Sequence, residues 1–394
     1  DFVAGAVAAG AGAYLSARGP LAPRLPWIEV ADTAAALLDV GRAARRHLPD
    51  RVVGVTGSVG KTTVKDLTAG ALGARFRTWA SARSFNNELG VPLTLANAPA
   101  DTEALVIEMG ARGPGHVALL CDIAAPAIGV VTVVAAAHTE MFGSVDEVAK
   151  AKSELVAALP ATGTAVLNAA DPRVLQMRVL TDATVLTFAH DPGVGADVGA
   201  EGVHMDDDLR PSFRLRTPWG TVPVQLPVRG EHNVGNALAA AGAALAAGVS
   251  LEEVAAGLAS ARRSPSRMDL RRAPSGLVVL DDSYNSNPVS LEAGLRALAR
   301  LPARRRVAVL GVMAELGPEG PGEHRRLAEL AASLDIEVLA VGTGAYGVSW
   351  TAADPAAAIA ALAELGPLGG EAAVLVKASR VVGLGRVAEA LLAP

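Results

Sequence analysis

The chain has 394 residues, too many for one ordinary hydrophobic core, so two or three domains are expected. Apolar residues make up 51% and charged ones 19%, which excludes a disordered chain, and a formal charge of −5 gives no footprint for nucleic acid. The single cysteine, Cys121, excludes an internal disulfide and a multi-cysteine zinc site, and it fits a reducing compartment.

The first residues carry neither an initiator Met nor a basic stretch, so they do not read as a signal peptide; they suggest a chain entered part-way through a helix. Residues 4–15 are Ala/Gly-rich and read as helix, 27–30 as a short strand and 31–47 as a helix. Residues 51–56 form a buried-strand pattern running into a glycine loop, with a helix predicted over 62–72. Apolar runs at 104–109, 128–134 and 164–168 alternate with helical patterns such as 144–159, which argues a mostly parallel sheet with helices on both faces. From 185 to 227 short strands with Gly, Pro and Asp turns suggest a small antiparallel patch, including 213–216 and 221–224. Helices at 232–247 and 251–261 close this unit, and 262–266 (Arg-Arg-Ser-Pro-Ser) reads as a linker. Alternation then restarts, with strands at 277–281, 306–310, 338–342 and 373–377 and helices at 288–301, 323–334 and 355–365. No stretch reaches the ~18 apolar residues of a membrane-spanning helix.

Thr56-Gly57-Ser58-Val59-Gly60-Lys61-Thr62-Thr63 lies between a buried strand and a helix start, where a phosphate loop belongs. Glycines let successive backbone N–H groups turn toward phosphate oxygens. The helix N-terminus and Lys61 add positive charge, and Thr62 offers a hydroxyl to Mg²⁺. Val55 replaces the first glycine of the general pattern, so the loop is a variant. Lys61 is expected to face solvent. Ligands collect at the carboxyl ends of strands in open α/β sheets, so Glu108 and His138 should project toward this loop, Glu108 completing a Mg²⁺ shell with Thr62. On their own, His138 reads better as a structural histidine, and Lys150 with Lys152 as a solvated helix face.

These motifs extend through Asn86-Asn87-Glu88-Leu89-Gly90-Val91-Pro92, Glu108-Met109-Gly110, Ala151-Lys152-Ser153-Glu154 and Asn168-Ala169-Ala170-Asp171-Pro172. They continue with His232-Asn233-Val234-Gly235-Asn236, Asp281-Asp282-Ser283-Tyr284-Asn285-Ser286-Asn287-Pro288, Met313-Ala314-Glu315-Leu316-Gly317 and Lys377-Ala378-Ser379-Arg380. Across essentially the whole chain, and in order, this set resembles the Mur ligases, most closely the branch that joins D-Ala-D-Ala to UDP-MurNAc-tripeptide. The resemblance implies an α/β fold: a central phosphate-loop ATPase domain (49–263), a C-terminal Rossmann-like domain (264–394), and at 1–48 the closing part of a domain for the UDP-linked substrate. It implies an ADP-forming amide ligase of peptidoglycan precursor synthesis, cytoplasmic and monomeric.

The resemblance also implies roles. ATP would be held by residues Thr56 to Thr63, with His232 and Asn236 near the adenine, Arg267 at the γ-phosphate, Asp282 at the ribose and Tyr284 by the base. Two Mg²⁺ ions would be held by Thr62, Glu108 and His138, with Lys152 carbamylated by CO₂ to hold or orient metal. Lys61, Lys152, His138 and Arg267 would be catalytic, and Asn86, Asn87, Asn285, Asn287, Lys377, Ser379 and Arg380 would meet the substrates. Asn236 has a second, less favoured reading as part of a helix cap, and Arg380 reads equally as a helix-start surface residue. Val312 and Ala378 depart from the family's usual Asp and Gly, which raises the alternative of a related ligase with a different amine. A non-catalytic partner subunit is the other alternative; its usual four-cysteine zinc ribbon is excluded by the cysteine count.

Overall fold

The computed structural model describes residues 2–22, 25–135, 142–314, 316–364 and 369–393. It opens with helix α1 (Val3–Ala8), a two-stranded parallel pair, β1 (Tyr14–Ser16) and β2 (Trp27–Glu29), and helix α2 (Thr33–Arg45), whose N-cap Asp32 accepts from Ala34 N and Ala35 N. The helix expected over 4–15 ends early: Gly10 adopts φ +91°, and Tyr14 is extended to pair with Trp27.

One nine-stranded sheet follows. Its strands are β3 (Val52–Thr56), β4 (Thr78–Ala80), β5 (Ala104–Glu108), β6 (Ile128–Val131), β7 (Thr164–Asn168), β8 (Thr184–Ala189), β9 (Val198–Met205), β10 (Pro211–Thr217) and β11 (Gly220–Gln225). The spatial order is β11-β10-β9-β8-β7-β6-β3-β5-β4. All neighbours from β4 to β9 are parallel, and only β9–β10 and β10–β11 are antiparallel. The expected antiparallel patch flanks the first sheet as its far edge, but it is smaller than the 185–227 stretch, because β8 joins β7 in parallel and β9 joins β8. β3 lies between β5 and β6, so strand order reverses beside it and a crevice opens at its carboxyl end.

Helices cover both faces. Helix α3 (Lys61–Gly73) packs on α8 (His232–Ala246) and α9 (Leu251–Ala259) over one face, around Val53, Val55, Val64, Leu67, Val234 and Leu238. On the other lie α4 (Gly90–Ala96), α5 (His116–Ala124), α6 (Val145–Ala157) and α7 (Pro172–Gln176), around Leu105, Ile107, Met109, Ile123, Leu155 and Leu167. Cys121 is inside this second core, where burial pushes its thiol up to about 12.

The second sheet has the order β12-β13-β17-β14-β15-β16. It is built from β12 (Asp269–Arg272), β13 (Val278–Asp281), β14 (Arg305–Gly311), β15 (Glu337–Val341), β16 (Thr351–Ala352) and β17 (Ala372–Lys377). Only β12 runs antiparallel. Helices α10 (Pro288–Arg300) and α11 (Gly320–Ser333) cover one face, and α12 (Pro355–Glu364) and α13 (Gly385–Leu392) the other. Its strands β13, β14 and β17 end in the loops after Asp281, Gly311 and Lys377, which bring residues 282–287, 312–314 and 378–380 to one edge.

Candidate functional site

A cleft of about 580 Å³ lies between the carboxyl ends of the two sheets. From the first sheet it is lined by Ser58 to Thr63, Ser84, Asn86, Glu108, Asn168, His232 and Asn236; from the second by Arg267, Asp282, Tyr284 to Asn287, Lys377, Ser379 and Arg380. Most residues singled out in the sequence thus meet at one place. Thr56, Gly57, Asn87 and Lys152 are outside its lining, and His138 lies outside the described residues.

The loop's shape depends on two glycines. Gly57 has φ +146°, and a Cβ there would lie 1.8 Å from Thr132 Oγ1; Gly60 has φ +85°, and its Cβ would lie 2.5 Å from Asn236 Oδ1. Thr132 Oγ1 donates to Val59 O (2.6 Å), which holds it against Gly57, while at Gly60 it is the left-handed φ that disfavours a side chain. Ser58 anchors the loop to the end of β6: its N donates to Val133 O (2.7 Å) and its Oγ accepts from Ala135 N (3.0 Å). Thr56 serves the scaffold, donating Oγ1 to Met109 O (2.9 Å).

Lys61, expected to face solvent, is half-buried and curls back to donate to Gly57 O (2.7 Å), because the loop's carbonyls lie within reach of its ammonium. Burial lowers its pKa, Arg267 adding to the effect and Glu108 opposing it. Glu108 is 1% exposed. Its Oε1 accepts from Asn86 Nδ2 (2.8 Å), and its Oε2 is buried with no partner among the described residues. Thr62 Oγ1 accepts from Arg267 Nη2 (2.9 Å). A buried, unpaired carboxylate oxygen near a threonine hydroxyl at a helix N-terminus is a donor set that suits Mg²⁺. Lys152 is 3% exposed on α6, whereas Lys150 is exposed. Burial pushes the Lys152 ammonium well below the ordinary lysine range, and the charge of Lys61 adds to this.

Several residues spend their side chains inside the protein. Asn87 Oδ1 accepts from Gly90 N (2.9 Å) at the start of α4. Asn287 caps α10, its Oδ1 accepting from Ser290 N (2.9 Å) in a capping box. Asn236 donates to Asn233 Oδ1 (2.7 Å) while bordering Gly60. Asp282 accepts from Met268 N (3.1 Å) through Oδ1 and from Lys377 Nζ through Oδ2. Lys377 also donates to Asn285 O (2.9 Å). Ser379 Oγ accepts from Ala314 N (2.9 Å), tying the loop after β14 to the one after β17. Tyr284 holds the Arg267 guanidinium 4.2 Å from its ring centroid, and Arg380, exposed, lies 5.5 Å from the same centroid. His232 lines the cleft with its side chain exposed there, and desolvation by the protein around it pushes its imidazole down to about 4. Ala378 is buried, and neither it nor Val312 lines the cleft, so their departure from the family pattern does not touch what the cleft holds.

Sequence reasoning missed three groups. Ser84 Oγ accepts from Tyr284 OH (2.7 Å) and lies 3.5 Å from Arg267 Nη2 and 3.4 Å from Thr62 Oγ1, at the junction of the two sheets. Lys65, buried one turn beyond Lys61, donates to Ser81 O (2.9 Å) and Arg83 O (3.1 Å) and so fixes the segment leading to Ser84. Asp66 pairs with Lys65 (2.8 Å) and accepts from Ser264 N (3.0 Å) in the linker. The spacing of Lys65 from Lys61, i to i+4 on one helix, was the available signal.

A phosphate loop at the switch point of one parallel sheet, facing the strand ends of a second, defines a two-lobed nucleotide-dependent enzyme. Residues 55–244 match the Mur ligase middle domain and residues 266–381 the Mur ligase glutamate ligase domain. The chain belongs to the Mur ligase family. It is 41% identical to the UDP-N-acetylmuramoyl-tripeptide–D-alanyl-D-alanine ligase of Mycobacterium tuberculosis (strain ATCC 25618 / H37Rv), over 100% of this chain and 87% of that protein. Among solved structures it resembles MurF from Acinetobacter baumannii (TM-score 0.87, 31% identity, 99% of this chain and 87% of that one). It also resembles MurF ligase from Thermotoga maritima in complex with ADP (TM-score 0.85, 28% identity, 99% of this chain and 90% of that one).

Proposed function

We infer that the chain joins D-Ala-D-Ala to UDP-MurNAc-tripeptide, converting ATP to ADP and phosphate, in the supply of peptidoglycan precursors. The observation that carries this is the single cleft in which the phosphate loop and Glu108 of one sheet face Arg267, Tyr284 and Arg380 of the other. The full-length likeness to ligases of that name supplies the substrates. We propose residues 1–48, 49–263 and 264–394 as its functional units, the first meeting the UDP-linked substrate. A monomer acting in the cytoplasm is part of the same reading, and among the described residues no helix is long and apolar enough to cross a membrane.

In this mechanism the terminal carboxylate of the peptide attacks the γ-phosphorus of ATP, ADP departs, and an acyl phosphate forms. The amine of D-Ala-D-Ala then attacks the acyl carbon, and phosphate leaves as the amide is made. The protein's work is to bring two anions together and keep water out. Backbone N–H groups from Val59 to Thr63 cradle the phosphates, Lys61 neutralises them, and Arg267 reaches the same place from the second sheet. Glu108 and Thr62 would hold Mg²⁺, whose positive charge offsets that of the phosphates. His138 completes the set we propose for a second ion. Lys152 is the residue for CO₂: its depressed pKa favours the free amine, which adds to CO₂ and releases a proton to give an anionic carbamate. Asn86 orients Glu108, and Arg380 offers a guanidinium to the carboxylate of the incoming dipeptide.

Phosphate release from ATP in the presence of UDP-MurNAc-tripeptide, with and without D-Ala-D-Ala, tests the reading. Full turnover should need both. Equal release with other dipeptides, or none with this pair, would contradict it.

A further inference from the structure

Arg267 sits between two residues of unusual backbone. Ser266 has φ +55° and Met268 φ +52°, and neither is glycine. L-residues enter this left-handed region at a cost and hold it only where surrounding contacts impose it. Here the contacts come from two consecutive carboxylates at the end of β13. Ser266 Oγ donates to Asp281 Oδ2 (3.0 Å), and Met268 N donates to Asp282 Oδ1 (3.1 Å). Ser266 O also accepts from Tyr284 N (3.2 Å).

The carboxylates are themselves fixed. Asp281 Oδ1 accepts from Ser283 N (3.0 Å), and Arg271 Nη2 lies 3.3 Å from Asp281 Oδ2. Asp282 Oδ2 accepts from Lys377 at the end of the neighbouring strand β17. Both acids and Lys377 are buried. By contrast, among the described residues the Arg267 guanidinium makes few contacts of its own: Thr62 and Ser84 across the cleft, and the face of Tyr284, while its Nε is buried without a partner there. Its direction is set by the backbone beneath it.

We propose that Asp281 and Asp282 are positioning residues for Arg267, bracing the two left-handed residues beside it so that the guanidinium is held over the phosphate loop. Lys377 then acts as the counter-ion of Asp282, and the ribose contact that the family likeness suggests for Asp282 is not needed to explain either residue. The inference rests on the role given to Arg267 in phosphoryl transfer, and it adds the device that aims it.

A double-mutant cycle tests it. Ser266→Ala, Ser266→Gly and Asp281→Asn are made in the natural sequence and in Arg267→Ala, and kcat and the KM for ATP are measured with both substrates. Ser266→Ala and Asp281→Asn should lower kcat by about 10-fold with the KM for ATP within about 2-fold, and should lower it no further in Arg267→Ala. Ser266→Gly should lose several-fold less than Ser266→Ala, because glycine enters the left-handed region without the brace. A general loss of packing would not distinguish Ala from Gly in that direction. Losses that add to that of Arg267→Ala, or a Gly variant as slow as the Ala variant, would overturn the bracing while leaving Arg267 its role. Full turnover by Arg267→Ala would remove that role and this inference with it. Should Asp281→Asn fail to fold, as thermal unfolding would reveal, the Ser266 pair carries the test.

Discussion

Lys61 and Lys152 show how far charge and burial decide chemistry at single residues. Among the described residues Lys61 hydrogen-bonds only to its own loop, at Gly57 O and Ser58 O, so Lys61→Ala should abolish ATP turnover without unfolding the protein. A circular-dichroism melt alongside the phosphate assay separates the two, and an unfolded variant at room temperature would refute the claim. Lys152→Ala should lose most activity and regain part of it with short carboxylic acids that take the carbamate's place, whereas exposed Lys150→Ala should change little. Equal behaviour of the two variants would remove Lys152 from the mechanism. His232 makes a pH prediction. Its imidazole lies at about 4 in the fold against 6.5 ordinarily, so between those values the unfolded chain binds a proton that the folded chain does not. This contribution to stability is intact above pH 6.5 and is lost as pH falls toward 4. The imidazole resonances of His232 should still report the neutral ring at pH 5, and the fall in melting temperature from pH 7 to 4.5 should be smaller in His232→Gln.

At the scale of elements, α10 carries a direct prediction. Asn287 and Ser290 cap each other's backbone N–H, so Asn287→Ala should cost about 1 kcal/mol of stability and Asn287→Asp much less, by denaturant unfolding. The family resemblance put Asn287 among the substrate residues; that an Asn before Pro also starts a helix is equally readable in the sequence. The long parallel strands and their helices were legible because each is a continuous apolar run beside a 3.6-residue pattern. β4, β12 and β16 were not, being two to four residues long, partly exposed and, in β12, charged. Pairing was the other blind spot: short alternating segments announced strands after 184, but nothing local says that β8 and β9 run parallel to β7. The phosphate loop was readable because its chemistry is contiguous. The braces on Arg267 were not, because Ser266, Asp281 and Lys377 come together only through strand order.

The whole molecule joins its two sheets in two different ways. On the linker side the contact is apolar: Leu209, in the turn between β9 and β10, is buried in the second sheet's core with Met268, Leu270 and Leu280, and Arg272 pairs with Asp208 (2.9 Å) beside it. Elsewhere the contacts are polar: Tyr284 to Ser84 and Arg267 to Thr62 across the cleft, and an ion pair of Arg300 with Glu231 (2.6 Å). Exposing a leucine side chain costs roughly 1.5–3 kcal/mol, whereas water replaces an opened hydrogen bond at a net cost of only about 1 kcal/mol. Opening should therefore pivot near Leu209 and the linker and part the cleft at Ser84. Closure matters because an acyl phosphate exposed to water would be hydrolysed, and because Arg267 reaches the phosphate loop only from the second sheet. Arg267→Ala should accordingly lower turnover by roughly 10²-fold or more, the scale of losing one charge-stabilising donor, with a smaller effect on nucleotide binding. Tyr284→Phe, which removes one closing hydrogen bond, should raise the radius of gyration of the free protein in small-angle scattering. Adding an ATP analogue together with UDP-MurNAc-tripeptide should compact the natural protein. An unchanged radius with both bound, alongside full activity of Arg267→Ala, would show that catalysis here needs no closing of one sheet on the other.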